Sequence, residues 1–137
     1  MIFGNVVIPS TVTTTGTGSW NFNGPGTRYI TSANRTWTYP FNINLPDSGL
    51  LAFSSTFTCS SSMSLTKGNV SLNGYDITLA SFDSNNNTYV KSIAFGDNTI
   101  TVTGTGTPWT TGTATTATTS VTGTNPTVIV NSTGSSA

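Results

Sequence analysis

The chain has 137 residues, four Lys or Arg against four Asp, and 6% charged residues, where soluble domains average about 25%. With zero net charge it has no basic footprint for DNA or RNA and no polybasic patch for an anionic membrane. His, Glu and Gln are missing, which removes most agents of acid–base catalysis, while 30 Thr and 18 Ser supply hydroxyls in place of charge.

The start, Met1 to Pro9, holds neither a positive n-region nor a signal-length apolar run, and no stretch approaches the roughly 20 apolar residues of a membrane helix. Membrane insertion is therefore not expected. Seven Phe, four Tyr and three Trp, many of them alternating with polar residues, argue against a Ser/Thr-rich linker. A single cysteine, Cys59, excludes an internal disulfide framework.

Val6 and Ile8 open the alternating pattern, and Ile30 follows. From Thr36 to Leu45 the residues Trp37, Tyr39, Phe41, Ile43 and Leu45 occupy every odd position, which is strand periodicity. The same parity returns in Leu51, Phe53, Phe57, Cys59, Met63 and Leu65, interrupted by Ser55 and Ser61. Helix has no comparable support, because Glu and Gln are absent and β-branched residues dominate. Turn signals punctuate the runs at Gly24-Pro25-Gly26, Pro46 to Gly49, Asn73-Gly74, Gly96-Asp97-Asn98 and Gly123-Thr124-Asn125.

Aligning the pair that follows each of the last four turns gives Leu51/Phe53, Ile77/Leu79, Ile100/Val102 and Val128/Val130. Extended back through Ile30 to Val6/Ile8, this makes six quasi-repeats with a mean period of about 24 residues, in the range of solenoids. The expectation is an all-β chain, a parallel β-helix of about six turns, with a β-sandwich or jelly roll as the alternative. Residues 1–137 are read as one solenoid unit, with 1–35 as an N-terminal cap or irregular first turns. No capping repeat follows Thr127 to Ala137, so the unit is expected to be a segment of a longer chain or to be covered by partner chains.

The segment Leu65 to Leu79, with its Leu72-Asn73-Gly74-Tyr75 turn, resembles the turns of β-helical repeat fibre and surface proteins of tailed bacteriophages and environmental viral sequences. The Ser/Asn-rich stretch Ser81 to Thr88 and the stretch Ile93 to Trp109 are similar to segments of the same proteins. The resemblance covers roughly residues 36 to 137. It implies a virion-surface or extracellular rod, a homo-oligomer or filament, other appendage proteins as partners and a host surface glycan as a contact, without fixing what is touched.

Candidate sites are few. Enzymatic β-helices need paired carboxylates or a cation cluster, and only Asp76 and Asp97 lie near equivalent turns, where Asp is also a routine turn residue. Gly16-Thr17-Gly18 and Gly104-Thr105-Gly106 lack the rest of a phosphate-binding motif and read as bends. Cys59 faces inward with no His to activate it. Sequons at Asn34, Asn69, Asn86 and Asn131 follow from composition. Trp20, Tyr89 and Trp109 lie beside turns, suited to stacking on a sugar ring or anchoring an interface, or to packing over the ends of a core.

The Thr-alternating run Thr99 to Thr107 looks like an ice-binding face. In the alignment above, however, the outward positions are Leu50/Ala52, Asp76/Thr78, Thr99/Thr101 and Thr127/Ile129, a broken array. The function expected from the sequence is a non-catalytic rigid spacer or adhesive rod, with no catalytic residues, metal or cofactor. A glycan-binding or glycan-cleaving tailspike-like module is the alternative.

Overall fold

Period-two alternation makes strands, and Gly, Asn and Pro at their ends turn the chain into the next face. The computed structural model describes residues 2, 4–9, 11, 17–85, 88–111 and 119–131. Its strands are β1 (Val6–Val7), β2 (Trp20–Asn23), β3 (Thr27–Thr31), β4 (Thr36–Trp37), β5 (Phe41–Asn44), β6 (Leu50–Phe53), β7 (Phe57–Ser71), β8 (Ile77–Ser84), β9 (Lys91–Ala94), β10 (Thr99–Val102), β11 (Trp109–Thr111), β12 (Thr119–Thr122) and β13 (Thr127–Val130). Every strand pair is parallel and the described residues contain no helix, so the architecture is a β-solenoid and not a sandwich of hairpins.

Three inward-facing ladders run along the solenoid axis. The first is Trp37–Cys59–Leu79–Val102–Val130. The second is Trp20–Phe41–Met63–Phe82–Trp109. The third is Arg28–Leu51–Val70–Ile93–Val121. Among the described strands β7 alone supplies a rung to all three, Cys59, Met63 and Val70, and so traces nearly one whole turn.

Each ladder has its rungs joined by four turn-to-turn steps of 19 to 28 residues. The solenoid thus has about four turns rather than the six expected. The count fails for an identifiable reason. Val6 pairs with Ile30 and Ile30 with Phe53, beside the third ladder, whereas Ile77, Ile100 and Val128 pair beside the first. The residue in register with Ile77 is Phe57, not Leu51. Two faces of the same turns had been joined end to end as one series.

The lumen is filled by buried apolar side chains. Phe22, Trp37, Phe41, Phe53 and Phe57 are buried in one half, and Ile77, Leu79, Ile93, Ile100 and Val102 in the other. Fully burying such side chains stabilises by about 1.5–3 kcal/mol each. Cys59 is buried among them, as its parity predicts.

Corners are closed by local turns and stitched to the adjacent turns of the solenoid. At Leu72 to Tyr75 the Tyr75 N–H donates to Leu72 O at 3.0 Å, with Asn73 and Gly74 both at positive φ, 52° and 89°. Asn and Gly are the residues that tolerate that conformation. The Asn73 amide donates to Phe53 O on the previous turn at 2.9 Å. On the following turn the Thr99 N–H donates to Asp76 Oδ1 at 2.8 Å. Elsewhere Ser32 Oγ donates to Thr56 O, and Asn69 Nδ2 to Asp47 O and Gly49 O. Neutral hydroxyls and amides thus take the stitching role in a chain with few charges.

Candidate functional site

The three aromatic candidates do not converge. Trp20 and Trp109 are the first and last rungs of the second ladder, about 19 Å apart at the usual strand spacing. Trp20 packs edge-on to Trp37 with centroids 4.9 Å apart, and Trp109 stacks on Phe82 at 4.4 Å. Both are half-buried and cover the ends of the apolar ladder. Tyr89 is exposed, with Lys67 Nζ 4.7 Å above its ring, and Lys67 is also 3.2 Å from Asp47 Oδ1.

The carboxylates are dispersed. Asp76 Oδ1 accepts from Thr99 N and from Asn98 Nδ2 at 3.4 Å, so this side chain joins turns. Asp83 Oδ1 accepts from Asn85 N at 2.8 Å in a local turn, and Asp47 pairs with Lys67. No group of three or more His, Cys, Asp or Glu able to hold a metal occurs among the described residues. Burial pushes the Cys59 thiol above its ordinary pKa, opposed by a backbone hydrogen bond at Ser61. Its sulfur lies 3.5 Å from Tyr39 O. Gly16 and Asn86 lie outside the described residues.

One more buried group stands out at the third face. Lys91 is 1% exposed, in register with Gly68 on the preceding turn, and its Nζ donates to Ser84 O at 2.7 Å. Gly68 has φ +98°, and a Cβ there would press on Leu45. Desolvation holds the Lys91 ammonium below the usual lysine pKa, and Asp83 partly offsets this. The Ser84 and Thr119 hydroxyls lie 2.8 Å apart beside it, a buried polar seam within the wall.

A concavity lies on the outside of β2 and β5. A groove of about 500 Å³ is lined by Asn21, Asn23, Asn42, Asn44 and Thr66. Strand alternation turns Trp20, Phe22, Phe41 and Ile43 inward and the intervening amides outward. Parallel register then sets Asn21 beside Asn42 and Asn23 beside Asn44. Asn42 Nδ2 donates to Asn21 Oδ1 at 2.9 Å, and Asn21 Nδ2 donates to Ser19 Oγ at 3.1 Å. This relay orients both amides, and among the described residues Asn42 Oδ1 accepts no hydrogen bond. Among the described residues, the Asn23 and Asn44 amides make no side-chain hydrogen bond. The groove therefore offers neutral donors and acceptors in pairs, suited to hydroxyl-bearing, uncharged ligands.

The groove escaped the sequence reading, although its signal was present: Trp20-Asn21-Phe22-Asn23 and Phe41-Asn42-Ile43-Asn44 repeat one pattern 21 residues apart. No helix among the described residues is long and apolar enough to cross a membrane. No protein-family model, curated protein or solved structure matches the chain.

Proposed function

We propose that the chain is a rigid, non-catalytic rod segment of a viral fibre or other extracellular appendage, which spaces or adheres. The observation that carries this reading is the set of continuous parallel ladders around a filled lumen. Bending such a rod strains backbone hydrogen bonds on one side and compresses close-packed side chains on the other. The resemblance of Leu65 to Trp109 to fibre repeats supports the same role. Near-neutral faces allow lateral or end-to-end association of identical chains with little charge repulsion, which favours a homo-oligomer or filament.

Negative-stain imaging of the assembled protein tests the proposal. Rods or filaments of uniform width are expected. Isolated globules, or depolymerisation of a host polysaccharide that is lost on Asp76→Asn or Asp97→Asn, overturn it.

The asparagine groove favours a second reading, glycan binding without cleavage. A neutral oligosaccharide satisfies the spare amide groups without any charged partner. Calorimetric titration with host-surface oligosaccharides should show binding that weakens on Asn42→Ala and Asn44→Ala.

A further inference from the structure

We propose that the outward face of the first ladder binds the surface of ice. The corrected register creates this face. Thr36 lies beside Thr58, Thr58 beside Thr78, and Thr78 beside Thr101, an unbroken column over successive turns. The apparent break at Leu50 and Ala52 vanishes, because those residues belong to the third face and Thr56 and Thr58 stand in their place. The column ends at Ile129, in register with Thr101. The files on either side hold Thr56, Thr99 and Thr127, interrupted by Asp76, and Thr38 and Thr103, interrupted by Ser60 and Ala80.

Several properties point to an ordered water lattice as the occupant. Neighbouring turns repeat at about 4.8 Å and same-face residues along a strand at about 6.6 Å. The oxygens of hexagonal ice repeat at comparable intervals on its faces. No register shift interrupts the column; the bulge in β7 falls after Cys59, beyond it. The residues behind the column, Trp37, Cys59, Leu79 and Val102, are buried in the packed lumen, and β-branching restricts the threonine rotamers, so the array is held rigid before it meets a ligand.

The hydroxyls are also unspent. Among the described residues no hydrogen bond joins the side chains of Thr36, Thr58, Thr78 or Thr101 to the protein, whereas flanking Thr103 Oγ1 donates to Leu79 O at 3.2 Å. The column itself carries no charge, so it holds no tight hydration shell that mismatches ice. The one carboxylate at its margin, Asp76, is engaged by Thr99 N. Each threonine presents a methyl group that orders adjacent water and a hydroxyl that bonds it.

The test uses the 137-residue chain in partition into a growing ice hemisphere and in inhibition of ice recrystallisation. The unsubstituted chain is expected to enter the ice and arrest recrystallisation. Thr78→Tyr, at the centre of the column, should lose both effects with its circular dichroism intact. Ser120→Tyr, on the outward side of the third face, should keep them. If Thr78→Tyr fails to fold, Thr101→Lys takes its place with the same expectation. Exclusion of the unsubstituted chain from ice overturns the proposal. So does equal loss in Ser120→Tyr, or a Thr78→Tyr variant that only abolishes self-association in sedimentation. Images showing globules in place of rods defeat the appendage reading and leave the ice result standing, so the two fail separately.

Discussion

The two halves of the solenoid share one backbone plan but fill it differently. In the N-terminal half, rings from all three faces meet across the lumen: Phe57 lies within 5.0–5.5 Å, centroid to centroid, of Trp37, Phe41 and Phe53. In the C-terminal half the filling is mostly branched aliphatic, with Phe95 buried among it and Phe82 stacked on Trp109. The backbone ladder tolerates either filling so long as parity is kept. The difference therefore lies in cohesion across the lumen, where interlocked rings add about 0.5–1.5 kcal/mol per pair beyond buried area. The last rungs differ again, since Val121, Val128 and Val130 are exposed although they continue inward ladders.

The largest expected effect is at the seam between the halves. Phe57 touches three rings on its own side and stands in register with Ile77 on the other, so Phe57→Ala should cost about 3–5 kcal/mol in chemical denaturation. A loss near that of a surface substitution would show that the ring cluster is not cohesive. Next comes the corner that ties the halves together. Asn73→Ala removes the bond to Phe53 O and places Ala at positive φ, for an expected loss of about 1–3 kcal/mol in the same assay.

Within the aliphatic half, Ile100→Val removes one methylene and should cost about 0.5–1.5 kcal/mol. Hydrogen exchange sharpens the contrast without mutation. Amides of β13, which among the described residues pairs only with β10, should exchange before those of β5, which is paired on both sides.

The smallest effect concerns the cation buried in each half. Arg28 Nη1 donates to Pro25 O and Gly26 O, whereas Lys91 is desolvated and titrates below a free lysine. Between the lowered folded value and the ordinary one, the unfolded chain holds more protons than the folded chain. Stability attributable to Lys91 therefore rises with pH through that alkaline window. Melting temperatures of Lys91→Met measured across the window should lack that increment relative to the unsubstituted chain.

Much of this architecture was legible because parity is a local property. Phe41, Ile43, Leu51, Phe53, Met63 and Leu65 were assigned inward from alternation alone, and all are buried. The offsets from Ile77 to Ile100 and from Ile100 to Val128 matched real register. What misled was that each turn crosses three faces, all with apolar alternation and similar return lengths. A search for one period can slide from one face to another, as it did between Phe53 and Ile77. The threonine column was hidden by that slide. The asparagine groove depends on which polar residues stand side by side on consecutive turns, which requires register rather than parity.

The steps of 19 to 28 residues between equivalent rungs have a practical consequence. Circumference varies while the walls stay aligned, so the vertices take up the slack. Foreign peptides spliced into those vertices should leave the shaft standing, whereas a single residue added within a wall inverts every side chain up to the next bend.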